Sequence, residues 1–118
     1  MEEAVKVFKA LGDETRLKIL VIIAKRNICA KGISRHLGIS EAAVSQHLKA
    51  LKEANIIKGE KKGYFVQYEI QESTFSVIAN FIEEIIKNEI SYENLHMPME
   101  CIAECNIKKN KCCHRNSN

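Results

Sequence analysis

Residues 34–54, SRHLGISEAAVSQHLKALKEA, decide how the chain is read. A short apolar-periodic piece, with Ile33 and Leu37 four apart, runs into Gly38-Ile39-Ser40. A longer piece follows with Ser40 as its N-cap, and Val44, Leu48 and Leu51 at i, i+4 and i+7 give it one apolar face. Two helices joined by a three- or four-residue turn containing Gly form a helix-turn-helix unit. The second helix turns Glu41, Ala42, Ser45, Gln46, Lys49 and Lys52 away from its apolar face. Small, amide, hydroxyl and basic side chains of this kind suit base edges and phosphates in a major groove. The spacing by itself fits an ordinary helical hairpin equally well, so the flanking segments must decide.

Upstream, residues 2–11 predict an amphipathic helix with Val5, Phe8 and Leu11 along one stripe, closed by Gly12. Asp13 then caps a helix reaching about Lys25. Its run Ile19–Ala24 is apolar all round and predicts a buried central helix. Asn27 to Cys29 make a short break before the helix-turn-helix. Downstream, Asn55 closes the recognition helix. Ile56–Glu60 and Tyr64–Ile70 read as two strands around a Lys61-Lys62-Gly63 turn. A hairpin straight after a recognition helix is a wing, with Lys61 and Lys62 at its tip near the DNA backbone. A long helix from Ser73 to about Ile90 carries Phe75, Ile78, Ala79, Ile82, Ile85, Ile86 and Ile90 at three- and four-residue spacing. This stripe and the one on the first helix exceed what a chain this short can cover, so the two helices are expected to form a dimer interface.

The 118 residues carry a net charge of +3, unevenly spread. Residues 31–62 form a local basic patch, residues 72–104 are strongly acidic, and 105–118 are basic again. The longest wholly apolar run, Ile19–Ala24, is far short of the ~20 residues a membrane helix needs. The opening MEEAVKVFKA has no apolar signal core, so a cytoplasmic location without membrane contact is expected. No paired carboxylates, phosphate-binding Gly loop or Cys/His nucleophile arrangement appears, which argues against an enzyme. The chain divides into a winged helix-turn-helix and dimerisation domain, 1–91, and a cysteine-rich tail, 92–118. The tail is almost without apolar residues from 106 on, and disorder is expected there.

The segments KALGDETRLKIL (9–20), GISEAAVSQHLKALKEANII (38–57) and KGEKKGYFVQYEI (58–70) resemble the ArsR/SmtB family of winged-helix repressors, over roughly residues 3–90. The resemblance implies a mostly α homodimer in the order α-α-α-α-β-β-α, with the first and last helices at the interface. It further implies binding to an inverted-repeat operator on double-stranded DNA, with repression relieved when an effector, commonly a metal or metalloid ion, binds. The DNA-contacting set is then Ser40, Glu41, Ala42, Ser45, Gln46, His47, Lys49 and Lys52, with Lys61 and Lys62 on the wing. His36, His47 and His96 read as packing or surface residues rather than ligands, with a DNA-backbone contact open to His47.

The family's effector sites are only partly represented. A Leu-Cys-Val-Cys site ahead of the recognition helix corresponds here to Ile28-Cys29-Ala30-Lys31. Cys29 matches the first thiol, and Lys31 replaces the second with a cation. Cys29 therefore reads as a small buried or capping residue. A zinc site on the last helix would need histidines, and ESTFSVIANFIEEIIKNE has none; Glu83 and Glu84 do not make one. The tail remains, with Cys101, Cys105, Cys112 and Cys113 and the neighbouring His114. Clustered thiols in a reducing compartment suit soft ions: arsenite or antimonite through three thiolates, or a soft metal ion. No obligatory cofactor is expected. The expected function is a dimeric repressor released from its operator by a thiophilic ion bound by these cysteines. The alternative is a redox- or iron–sulfur-sensing regulator of the same fold.

Overall fold

Seven elements follow one another in the computed structural model, which describes residues 1–91: α1 (Glu2–Leu11), α2 (Glu14–Lys25), α3 (Ala30–Leu37), α4 (Glu41–Glu53), β1 (Ile57–Lys62), β2 (Phe65–Ile70) and α5 (Glu72–Ile86). Tail cysteines Cys101, Cys105, Cys112 and Cys113, along with His96 and His114, lie outside the described residues. Residues 1–83 form one compact unit, and the described residues from 84 on lie outside it.

Helix boundaries are written in the local sequence. Asp13 has extended backbone and its carboxylate accepts from the Arg16 N–H, while Ser40 does the same for the Ala43 N–H. Each satisfies a donor that the first helical turn leaves without a partner. Three helices end at left-handed residues: Gly38 after α3, Asn55 after α4 and Asn88 beyond α5. At Asn55 the N–H groups of Ile56 and Asn55 return to the carbonyls of Leu51 and Lys52. At Asn88 those of Glu89 and Asn88 return to Glu84 and Ile85. Both are paired reverse bonds of the Schellman type, and they fix where the helix stops. The second of these ends α5 at Ile86 rather than near Ile90.

The core of the first unit draws on every element. Ile19, Ile33, Val44, Leu51 and Ile56 are wholly buried, with Leu20, Ile23, Leu48, Ile57 and Ile78 nearly so. Burying each such side chain contributes about 1.5–3 kcal/mol relative to leaving it in water.

On α1 the residues facing the core are Ala4, Val7 and Ala10, while Val5 and Phe8 are exposed, in line with a stripe that the chain cannot itself cover. The small alanines let the helix axis approach the core, which leaves the bulkier stripe outside. On α2, Ile19, Leu20 and Ile23 are buried but Leu17 and Val21 lie open to solvent, so the helix is one-sided rather than central.

The wing is a two-stranded antiparallel sheet with Ile57 opposite Ile70 and Lys62 opposite Phe65. That register leaves only Gly63 and Tyr64 as the loop, so Lys61 and Lys62 belong to β1 and not to the turn. Gly63 sits at φ +65°, as the first position of a two-residue hairpin turn with one left-handed residue demands.

Candidate nucleic-acid interface

α3 packs on α4 through the Gly38-Ile39-Ser40 turn. Gly38 takes φ +70°, its N–H bonds back to the Ser34 carbonyl, and the Ser34 hydroxyl donates to the carbonyl of Ile39. The turn is thereby held from both sides, and it sets the angle at which α4 leaves it.

On α4, Val44, Leu48 and Leu51 are buried, and Glu41, Ala42, Ser45, Gln46, Lys49 and Lys52 are exposed together with the cap Ser40. The sequence-predicted face is therefore one continuous surface of short and polar side chains opposite an anchored apolar one. Ser40 has a second task, since its hydroxyl oxygen already accepts from the Ala43 N–H at 3.0 Å.

His47 differs from its neighbours. It is half-buried, and its Nδ1 accepts from Arg16 Nε at 3.4 Å. With Nδ1 engaged, the ring proton sits on Nε2. Arg16 also donates through Nη1 to the Ala10 carbonyl at 3.1 Å, covering a carbonyl in the last turn of α1. Beside it, the Asp13 carboxyl is held below its ordinary range, chiefly by the Arg16 backbone N–H and further by the Arg16 charge. Arg16 was not among the residues expected to matter. A cation in the first turn of a helix opposes the helix dipole, which was the available hint that it serves a longer-range contact.

Lys52 is exposed, yet its ammonium lies 5.8 Å from the centre of the Tyr68 ring on β2. Such a cation–π contact contributes about 0.5–1 kcal/mol at an exposed site, and it ties the end of α4 to the wing. Burial pushes the Tyr68 phenol up from its usual range. A second tie joins the wing to the loop before α3, where Gln67 Nε2 donates to Asn27 Oδ1 at 2.9 Å. Near the tip Lys62 pairs with Glu60 at 3.7 Å, and at the base of the wing Lys58 pairs with Glu69 at 3.8 Å. Lys61 has no ion pair among the described residues, and Tyr64 is fully exposed.

A helix-turn-helix with a solvent-facing second helix, braced by a wing, is the architecture of a DNA reader. The model described as "Bacterial regulatory protein, arsR family" matches residues 13–58, the stretch from the Asp13 cap to the first residues of the wing. The transcriptional repressor SdpR of Bacillus subtilis is 35% identical over 80 residues, covering 68% of this chain and 89% of that protein. The chain belongs to the ArsR family. Among other relatives, the arsenical resistance operon repressor of Escherichia coli is 30% identical over 81 residues, covering 68% of this chain and 69% of its own. An ArsR-like transcriptional regulator from Rhodococcus sp. RHA1 superposes with a TM-score of 0.69 at 25% identity, over 91% of this chain and 93% of that one. This ArsR-family chain is thus a transcriptional regulator with a winged helix-turn-helix, and not an enzyme. No helix among the described residues is long and apolar enough to cross a membrane.

The family's effector positions are sparse in the described part. Cys29 occupies the N-cap position of α3, half-buried, with a free thiol and no capping hydrogen bond from its side chain. No group of three or more His, Cys, Asp or Glu able to hold a metal ion occurs among the described residues.

Proposed function

We propose that the chain is a homodimeric repressor that reads an inverted-repeat operator with the exposed face of α4 and is released by a thiophilic ion held by the tail cysteines. The observation that carries the DNA half is the division of α4: Ser45, Gln46 and Lys49 stand in solvent while Val44, Leu48 and Leu51 lock the opposite side into the core. A helix fixed in this way presents the same side chains each time it enters a groove. Lys61 on the wing adds a backbone-directed charge.

Dimerisation is supported by the apolar surface left open on the first unit. Val5 and Phe8 on α1 and Val77 and Ile82 on α5 are all exposed, and Phe8 meets Phe81 in a tilted ring pair at 6.3 Å. Apolar groups clustered across two helices mark an association surface. Two copies would set their recognition helices on successive major grooves, ~34–36 Å apart. The operator and the regulator then share the cytoplasm.

The sensing half rests on the donor chemistry of Cys101, Cys105, Cys112 and Cys113 and on the arsenical relative. Three thiolates make a pyramid suited to arsenite or antimonite, and softer metal ions accept the same set. Ion binding that changed the separation of the two recognition helices would weaken operator binding by the ~1–3 kcal/mol usual for such coupling.

Operator release tests both halves. Under anaerobic, reducing conditions, arsenite should release the wild-type protein from DNA. The Cys112→Ser/Cys113→Ser double variant should repress normally and ignore the ion. Release of that variant by arsenite would move the sensor elsewhere, with Cys29 next to examine. Release by oxidant but never by an ion would replace the thiophilic reading with a redox one.

A further inference from the structure

We infer that a cavity of about 200 Å³ between α1, the turn after α4 and the first turns of α5 is a binding site for a small apolar α-amino acid. The cavity exists because small residues meet there. Ala4 and Ala54 are both buried and too short to fill the gap, and Val7 and Ile78 close its floor. A space of ~150 Å³ is enough to hold a benzene ring, so a side chain of leucine or phenylalanine size fits. Drug-sized ligands need ~300–1,000 Å³, which limits the occupant to a molecule of metabolite size.

The rim narrows the chemistry. Glu3 and Lys6 stand on it with opposite charges, and neither has an ion pair among the described residues. Ser73 and Asn55 add a hydroxyl and an amide. An apolar floor under a rim of both signs complements a zwitterion with an apolar body. The ligand's carboxylate would meet Lys6 and Ser73, and its ammonium Glu3. A plain hydrocarbon would leave both charges unused, and a simple acid or amine would satisfy only one.

The position gives binding a route to the DNA-reading surface. The Thr74 hydroxyl donates to the Asn55 carbonyl at 2.6 Å, and the Gln71 N–H donates to the Ile56 carbonyl at 2.8 Å. These two bonds stitch the start of α5 to the turn that ends the recognition helix, directly beside the cavity. A ligand wedged between α1 and α5 therefore bears on the joint that holds the end of α4.

Calorimetry on the full-length, DNA-free protein tests the site without reference to any operator. L-leucine should bind, and 4-methylpentanoate and 3-methylbutylamine, each lacking one charge, should bind several-fold more weakly. Ser73→Trp, which fills the mouth from an exposed position, should abolish binding, and Lys6→Ala should weaken it several-fold without altering the fold. Operator affinity should then shift about 5- to 150-fold in saturating leucine. If L-leucine, L-valine and L-phenylalanine all fail to bind, or Ser73→Trp binds leucine as well as wild type, the site assignment is overturned. Binding with unchanged operator affinity overturns the coupling.

Discussion

Arg16 and His47 are bonded across 31 residues of chain, Nε to Nδ1 at 3.4 Å, and the same guanidinium reaches the Ala10 carbonyl at 3.1 Å. One side chain near the start of α2 thus holds both the end of α1, beside the exposed apolar surface, and the middle of the recognition helix. Both bonds come from the same cation, and the one to the carbonyl is the stronger because it is shorter; the bond to the imidazole lies at the weak end of the range.

Arg16→Ala is therefore expected to lower the unfolding free energy by about 1–3 kcal/mol and to loosen the seat of α4. Its operator preference should fall more than its nonspecific DNA affinity. His47→Asn keeps an acceptor near the position of Nδ1 and should stay close to wild type, whereas His47→Leu should follow Arg16→Ala. Denaturant titrations together with binding to operator and scrambled duplexes check the ordering. Equal behaviour of the Asn and Leu variants would show that the bond contributes nothing.

Local signals carried most of this fold. The Val44, Leu48 and Leu51 spacing, the Asp13 and Ser40 caps and the Asn55 stop all appear where the sequence placed them, because each depends on neighbours a few residues away. What sequence could not resolve depended on tertiary approach. The open Val5 and Phe8 stripe of α1 was legible, but the residues that seat the helix in the core, Ala4, Val7 and Ala10, were not. Val21 stays exposed although it lies in an unbroken apolar run. Lys62 moved from turn to strand because hairpin register fixes the loop at Gly63-Tyr64. On the interface, the polar face of α4 was legible from periodicity, but the turning of His47 toward Arg16 and of Lys52 toward Tyr68 was not. Both follow from partners more than fifteen residues away.

Acid should weaken the start of α2 through Asp13. Its folded pKa lies below the unfolded value, chiefly because the carboxylate accepts from the Arg16 N–H. A depressed carboxyl contributes stability that is fully present above the unfolded pKa, about 3.9, and is lost as pH falls through the folded value. Asp13→Asn keeps a capping oxygen but removes the charge. Its thermal midpoint should therefore fall less steeply than wild type on going from neutral pH to pH values below 4. Parallel acid limbs for the two proteins would refute the assignment.

Gly63 carries the hairpin turn at φ +65°, with no heavy atom within 4 Å of where a Cβ would stand. Gly63→Ala therefore meets no clash, and its penalty is conformational, about 1–2 kcal/mol for an L-residue in the left-handed region. Amide exchange should quicken in β1 and β2 while α4 keeps its protection. Loss of protection throughout the domain would mean that the wing is part of the cooperative core.

Phe8 and Ile82 are 40% and 43% exposed, so charges there should be tolerated by the folded subunit. In a dimer joined through this surface, Phe8→Glu or Ile82→Glu would bury an unpaired carboxylate in the interface, at a cost of several kcal/mol. Sedimentation should show wild type as a dimer and either variant as a folded monomer with unchanged helical circular dichroism. Two variants that remain dimeric would place the interface elsewhere.

The last contrast separates reading from attraction. Gln46 is an exposed amide at the centre of the α4 face and can make a bidentate bond to adenine, a pairing worth about 1–3 kcal/mol of discrimination. Gln46→Ala should therefore narrow the gap between operator and random duplex while leaving the salt dependence of binding intact. Lys61 should do the opposite. It stands on the wing without an ion pair among the described residues, so replacing it with alanine should lower the slope of log K against log salt by about 0.9 and weaken all sequences alike. Lys62→Ala should have a smaller effect on that slope, because its ammonium already pairs with Glu60 at 3.7 Å and less counterion is released when it meets a phosphate. Affinities of the three variants for operator and scrambled DNA, each across a salt series, decide the matter. A Gln46→Ala variant that loses slope but not preference would mean that α4 lies along the backbone rather than in the groove.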